Sequence, residues 1–312
     1  MRPSRSTAKS SQRTVSNRSS GSRFRTPRAH IPRWLGRLFR HFLIWLAIAY
    51  ALLPVLWIFS ASVNPSSSLS TQTFLPSRIT WDHYRSLFSN PEYPFFTWLL
   101  NTLKVSGITA IGTVLLCSLG AYSFSRFRFR GRRVGLMAML LVQMFPQMLA
   151  MIALFLLLKS IGDVVPALGL NTHLGLIMVY LGGAMGFNIW FMKGYFDTIP
   201  RSLEESALVD GATPFQAYIR IMLPLVRPIM AVVLIIQFMT SYSEYILASI
   251  LLRGTEKLTL SVGLRFFTEQ AFNRRWGPFA AGAIVGGVIV LILFLPVQRL
   301  VVSGLTQGAV KE

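Results

Sequence analysis

Groups able to do acid–base, nucleophilic or metal chemistry are sparse in these 312 residues: 11 Asp and Glu, four His and one Cys. His30, His41, His83 and His173 stand far apart, and no H-E-x-x-H or Cys/His set joins them, so no metal centre is indicated. No G-x-x-x-x-G-K-[ST] occurs, which excludes ATP binding by a phosphate loop of the chain's own. G-x-S-x-G is missing too. One acid is conspicuous. Glu244 interrupts an otherwise uncharged run, Pro228 to Leu252. A charge at such a depth costs about 2.5 to 3.5 kcal/mol on the insertion scale. Such an acid faces a bundle interior or a watery cavity. With Tyr242, Gln237, Asn188 and Gln143 it outlines a polar path for a hydroxyl-rich solute. Interhelical hydrogen bonding is an equal reading for the Gln and Asn residues. A bond to a partner subunit is the rival for Glu244. An enzyme would have to be built on Glu244 and loop residues alone.

A second stretch suggests mechanical work instead. Ser202 to Pro224 reads SLEESALVDGATPFQAYIRIMLP. Ser202 and Glu205 form an S-x-x-E capping box, predicting a helix that starts with Ser202 as its cap. Asp210-Gly211 should end it, because Gly tolerates the left-handed turn after a helix. Thr213 then caps a second helix, with Pro214 at its first position and Gln216 as reciprocal partner. Pro224 marks entry into the next apolar run. On periodicity alone this is an amphipathic linker of two short helices.

These residues need a scaffold, and composition says which kind. The chain is 53% hydrophobic and only 13% charged, with a net charge of +20. A spanning helix takes about 20 apolar residues. Six runs qualify: Phe42–Ser62, Val105–Ser125, Val134–Leu158, one within Thr172–Met192, Pro228–Leu252 and Pro278–Gln298. The fold expected is all-α, a polytopic membrane protein of six transmembrane helices. Eleven of the 31 Lys and Arg fall in the first forty residues, and five Arg crowd Arg126–Arg133. With Lys193–Arg227 and the tail these lie on one side, which the positive-inside rule makes cytoplasmic, both termini included. The charge excess is therefore topological, with no footprint for nucleic acid. Residues 1–40 read as a basic, disordered arm beside anionic lipid, 41–303 as the membrane domain and 304–312 as a short cytoplasmic tail.

The pattern Glu205-Ser206-Ala207, Asp210-Gly211, Ile221-x-Leu223-Pro224 resembles the EAA loop of importer permeases of the ATP-binding-cassette type. That loop reads E-A-A, three residues, G, nine residues, I-x-L-P; Ser206 replaces the middle Ala. Ser243-Glu244-Tyr245-Ile246-Leu247-Ala248-Ser249, Trp276-Gly277-x-Phe279-Ala280-Ala281 and Gly304-Leu305-Thr306-x-Gly308 are similar to the maltose/maltodextrin branch of that family. The likeness covers the six spans from about Arg40 onward, not the basic arm.

The resemblance implies a type I importer permease fold with a cytoplasmic coupling-helix loop, 202–224. It implies that Glu205, Ala207 and Gly211 dock into an ATPase subunit, and that Gly304, Thr306, Gln307 and Gly308 reach the ATPase dimer. It implies partners: a second permease subunit, two cytoplasmic ATPase subunits, an extracytoplasmic sugar-binding protein and the lipid of a bacterial cytoplasmic membrane. The outer loops Ser66–Trp98 and Thr255–Gly277 would meet the binding protein. ATP and Mg²⁺ would be used by the ATPase partner, with no cofactor on this chain. Its function would be passage of maltose or maltodextrins by alternating access. Another sugar, such as trehalose or glycerol phosphate, and a non-transporting receptor subunit are the alternatives.

Overall fold

The computed structural model describes residues 33–66, 68, 73–269 and 275–309. Helix α1 is Arg33–Val63. Its apolar Trp34, Leu38 and Phe39 already sit at helical spacing, so 33–40 are helical and not part of a disordered arm. The rest of the arm, 1–32, lies outside the described residues. Then come α2 (Asp82–Ser89), α3 (Phe95–Arg126), α4 (Arg132–Gln143), α5 (Gln147–Val164) and α6 (His173–Asp197). Two short helices follow, α7 (Ser202–Val209) and α8 (Pro214–Ala217). A π turn at Tyr218–Met222 leads into α9 (Leu223–Ser243). The chain closes with α10 (Ile246–Leu251), α11 (Leu260–Leu264), α12 (Phe266–Glu269) and α13 (Trp276–Ala309). Among the described residues there is no strand.

Among the described residues five helical stretches are long and apolar enough to cross a membrane: Gly36–Val63, Phe95–Arg126, His173–Asp197, Pro214–Ser243 and Trp276–Gln298. The third expected span, Val134–Leu158, is not one straight helix. It divides into α4 and α5, bent by 103°, and makes a sixth span only as a broken one. Pro146 explains the break: it has no amide hydrogen to donate, and it disfavours helical backbone at Phe145. The last helix also runs through Ser303 to Ala309, across the boundary expected for a separate tail.

Helix α3 is the centre of the bundle. Thr102, Ser106, Thr109, Ala110, Thr113, Cys117, Ser118, Ala121 and Ser125 form a buried small-residue stripe along it. Such a stripe lets neighbouring backbones approach closely. Gly112 and Gly120 receive Leu181 and Ile189 of α6. Two apolar clusters flank the midpoint of α3. One joins Trp98, Leu99 and Val105 to Leu176, Tyr180, Tyr242 and Leu260. The other joins Val114, Cys117 and Tyr122 to Ile189, Phe196, Met222 and Val233. Between them the buried hydroxyls of Thr109 and Thr113 have no hydrogen-bond partner.

The two long connections are built into the bundle. Ser60, Ala61 and Ser62 at the end of α1 are buried. Ser62 bonds Tyr84 at 2.8 Å, and His83 Nε2 meets the Asn64 carbonyl at 2.8 Å. The segment Thr255–Glu269 is held on α3. Trp98 donates its indole N–H to the Thr255 carbonyl at 2.6 Å, and Asn101 donates to the carbonyls of Glu256 and Leu258 at 2.8 and 3.0 Å. Leu260 N–H donates to the Thr102 hydroxyl at 2.6 Å. Gly263 lies flat on the Trp98 ring, where an added Cβ would come within 2.2 Å. Gly282 and Gly286 of α13 serve close packing, against Leu264 and against Leu260 with Tyr242. Residues 270–274 of this connection lie outside the described residues.

Asn101→Ala leaves the Glu256 and Leu258 carbonyls without their donor. A loss of about 1 to 3 kcal/mol is expected for such orphaned groups. Thermal unfolding in detergent measures it, and an unchanged melting temperature would place the anchor elsewhere.

Candidate functional site: a helix pair bolted to the central helix

The stretch 202–224 folds as two short helices joined at a glycine. Gly211 adopts φ +86°, in the left-handed region. Its N–H donates to the Leu208 carbonyl at 3.1 Å, and the Ala212 N–H donates to the Ala207 carbonyl at 2.9 Å. Those two bonds make a Schellman turn, which satisfies the last carbonyls of α7. Helix α8 begins with a full capping box. Thr213 Oγ1 accepts from the Gln216 N–H at 3.2 Å, and Gln216 Oε1 accepts from the Thr213 N–H at 2.8 Å. The box expected at Ser202 is absent. Arg201 is already near-helical, φ −67°, ψ −27°, so Ser202 sits inside the helix and cannot cap it. The Arg201 carbonyl takes the first amides instead, those of Glu204 and Glu205, both at 3.0 Å.

What holds this pair to the bundle is a charged residue outside the sequence motif. Glu204 Oε1 accepts from Arg126 Nε at 2.5 Å, with side-chain exposures of 9% and 7%. Its second oxygen accepts from the Tyr122 hydroxyl at 3.2 Å. Arg126 also donates to the Ile199 carbonyl at 2.9 Å, and Arg201 donates to the Ser125 carbonyl at 3.2 Å. Ser118 and the Tyr218 hydroxyl share a bond at 2.7 Å. Ser125 donates to Asp197 at 2.6 Å, and Asp197 also takes Lys193. A spacing signal for Glu204 existed: it lies three residues before Ala207, on the same helical face. Both are buried.

The motif residues divide by direction. Ala207 packs inward, whereas Glu205, Ser206, Asp210 and Gly211 are exposed. Around the turn Leu208 is 45% exposed, Phe215 63% and Val209 88%. Ile221 and Leu223 are partly buried, and Pro224 is exposed at the start of α9. The arrangement can transmit a displacement: an apolar knuckle faces outward while its root is locked to α3.

The polar residues of the membrane runs are bonded within the chain. Helix α9 ends at Ser243, so the expected span Pro228–Leu252 is broken at Glu244, which has extended backbone. Its carboxylate accepts from the Leu247 and Ala248 amides at 2.7 and 3.0 Å and from the Tyr180 hydroxyl at 2.5 Å. Glu244 thus caps α10 and ties the break to α6. Tyr242 donates to the Gly286 carbonyl at 3.0 Å, and Gln237 pairs with Ser241 at 3.2 Å. Gln143 donates to the Gly183 carbonyl at 2.7 Å, and Asn188 to the Ala184 carbonyl at 2.8 Å. Gly304, Thr306, Gln307 and Gly308 lie on the last turns of α13. Among the described residues no group of acids, His and Cys is placed to hold a metal.

Residues 114–303 match the family model of the binding-protein-dependent transport system inner membrane component. The chain belongs to that family. The matched region runs from the middle of α3 into α13 and contains the bolted helix pair. The chain is 42% identical over 287 residues to the maltose/maltodextrin transport system permease protein MalG of Escherichia coli K12, covering 88% of this chain and 96% of that protein. It is 40% identical over 296 residues to MalG of Yersinia pestis, covering 91% and 96%. In shape it is similar to a bacterial ABC transporter involved in import of the acidic polysaccharide alginate, with TM-score 0.73, 26% identity and coverage of 88% and 99%. The MetNI methionine transporter in an inward-facing conformation shares the fold, with TM-score 0.54, 15% identity and coverage of 69% and 99%. The chain is a multi-pass permease subunit of an importer of this class.

Arg126→Met and Glu204→Met should each destabilise the permease by about 3 to 5 kcal/mol, because each leaves a buried charge unpaired. The double variant should recover part of that loss, and a double-mutant cycle on thermal unfolding measures it. Glu244→Ala should orphan two amides of α10, lowering stability by about 1 to 3 kcal/mol for each; the same assay reads it.

Proposed function

We propose that this chain is the permease subunit of an ATP-driven importer that passes maltose or maltodextrins across a bacterial cytoplasmic membrane by alternating access. It is not an enzyme itself. ATP and Mg²⁺ are used by two separate cytoplasmic ATPase subunits, a second permease subunit completes the channel, and an extracytoplasmic binding protein delivers the sugar. Both termini are cytoplasmic, since Lys and Arg concentrate at the end of the bundle that carries α7 and α8.

The observation that carries this reading is the exposed knuckle of Leu208, Val209 and Phe215 on a helix pair fixed to α3. An apolar patch of this kind at a protein end marks a partner surface. ATPase closure would press on the knuckle, and Glu204–Arg126 would pass the movement to α3. Glu205, Ser206, Asp210 and Gly211 form the outward face of that contact. Gly304, Thr306, Gln307 and Gly308 extend toward the same partner. Inside the membrane, Glu244 holds the break in span five, and Tyr242, Gln237, Asn188 and Gln143 supply polar groups beside the route. The sugar assignment is supported by the relatives at about 40% identity. The likeness to the alginate importer favours one second reading, a different oligosaccharide.

Ala207 faces its own chain, so the coupling test belongs on outward residues. Val209→Asp loses no contact within the chain. In proteoliposomes holding the whole complex it should reduce substrate-stimulated ATP hydrolysis about tenfold or more, as loss of a buried interface anchor does. Membrane insertion should be unchanged. Undiminished stimulation would refute coupling at this knuckle. Uptake of labelled maltose, maltotriose, trehalose, glycerol 3-phosphate and alginate oligosaccharide by the wild-type complex decides the solute; uptake confined to the last three would overturn the maltodextrin assignment.

A further inference from the structure

The first connection at the basic end reads Arg126-Phe127-Arg128-Phe129-Arg130-Gly131-Arg132-Arg133, with no acid in it. Gly131 takes φ +84° and turns the chain into α4. The side chains of Arg128, Arg130 and Arg133 make no hydrogen bond or ion pair with any described residue. Topology requires basic residues on this side, but it does not require a cavity beside them.

A cavity is there. Helices α4 and α6 touch at Gly186, where an added Cβ would lie 2.7 Å from the Met139 carbonyl and 3.1 Å from Gln143 Nε2. Trp190 and Lys193 lie four and seven residues further along α6, on the face that Gly186 presents. Opposite them on α4 stand Leu140, Met137, Leu136 and Arg133. Together they line a cleft of about 740 Å³ that reaches Arg132 and the Phe129–Gly131 turn. Its mouth carries Arg132, Arg133 and Lys193; its wall is apolar. Among the described residues Asp197 is the acid beside these cations; it is ion-paired with Lys193, accepts from Ser125 and also feels Arg132, so one negative charge faces three positive ones. The mouth therefore stays positive.

We propose that this cleft binds an anionic phospholipid of the surrounding leaflet. The phosphate sits between Arg133, Arg132 and Lys193, and an acyl chain lies along Met137, Leu140 and Trp190. A basic pocket between helices with an apolar floor fits a headgroup joined to its chain, whereas a free phosphate would leave the floor uncovered. Trp190 suits the boundary, since its ring is amphipathic. The lipid would set the spacing of α4 and α6 at the end where α7 is attached.

The test uses the whole complex in phosphatidylcholine nanodiscs containing phosphatidylglycerol with a photoreactive acyl chain, and crosslinks are mapped by mass spectrometry. Capture should fall on Met137, Leu140 or Trp190 and exceed that of photoreactive phosphatidylcholine about fivefold. Arg133→Gln should lower it about fivefold, the effect of one cation near an anionic surface. Arg128→Gln removes the same loop charge from a residue that does not line the cleft and should leave capture within about twofold. Leu140→Trp should block capture without changing charge. Arg133 is exposed and unpaired, so its variant keeps the fold. Equal capture of the two lipids would overturn the proposal, and so would equal effects of Arg128→Gln and Arg133→Gln. Displacement by inorganic phosphate would assign the site to a free anion. Loss of the ATPase subunits from Arg133→Gln complexes, with capture unchanged, would assign it to a protein partner.

Discussion

The buried ion pair between Arg126 and Glu204 is the constraint on which the basic end depends. A buried pair adds little net stability, because desolvation offsets most of the attraction. Its value here is geometric. Both carboxylate oxygens of Glu204 are used, by Arg126 and by Tyr122, and Arg126 also reaches the Ile199 carbonyl. One guanidinium therefore fixes the end of α3, the chain leaving α6 and the first turn of α7. A water-exposed pair would permit many geometries, whereas this one permits few.

Helix α3 then relates the two ends of the bundle. At its first turns Trp98, Asn101 and Thr102 hold the segment 255–260; at its last turns Tyr122 and Arg126 hold α7 and α8. The apolar clusters gather around those ends, and the midpoint carries Thr109 and Thr113 without partners. A continuous 32-residue helix between two anchored ends carries force along its axis.

Much of this was legible in the sequence. Long uncharged runs announced the spans, and Gly211, Thr213 and Gln216 announced the turn and the second helix, because those signals are local. The errors came where tertiary contacts decided. Ser202 lost its cap because the preceding Arg201 is already near-helical. Val134–Leu158 bent because Pro146 outweighed an unbroken apolar pattern. Glu244 reads in one dimension only as a lone acid in an apolar run; in three it also closes a helix break with Tyr180 and two amides. Glu204 was hidden by its neighbour Glu205, since only the burial of one face separates two adjacent acids. Nothing in the period of Thr255–Glu269 announces that it lies against Trp98 and Asn101, more than 150 residues earlier.

Span five bears irregular backbone at both extremities: a π turn at Tyr218–Met222 and the opening at Glu244. Between them α9 carries Pro228, which has no amide hydrogen to donate and interrupts the ladder once. Loosened peptide geometry at the two extremities turns the helix between them into a strut with a joint at each end, and Pro228 adds a weaker point inside it. Such a strut can change inclination by rearranging a few amides at those points, leaving the ladder beyond Pro228 and its side-chain register untouched.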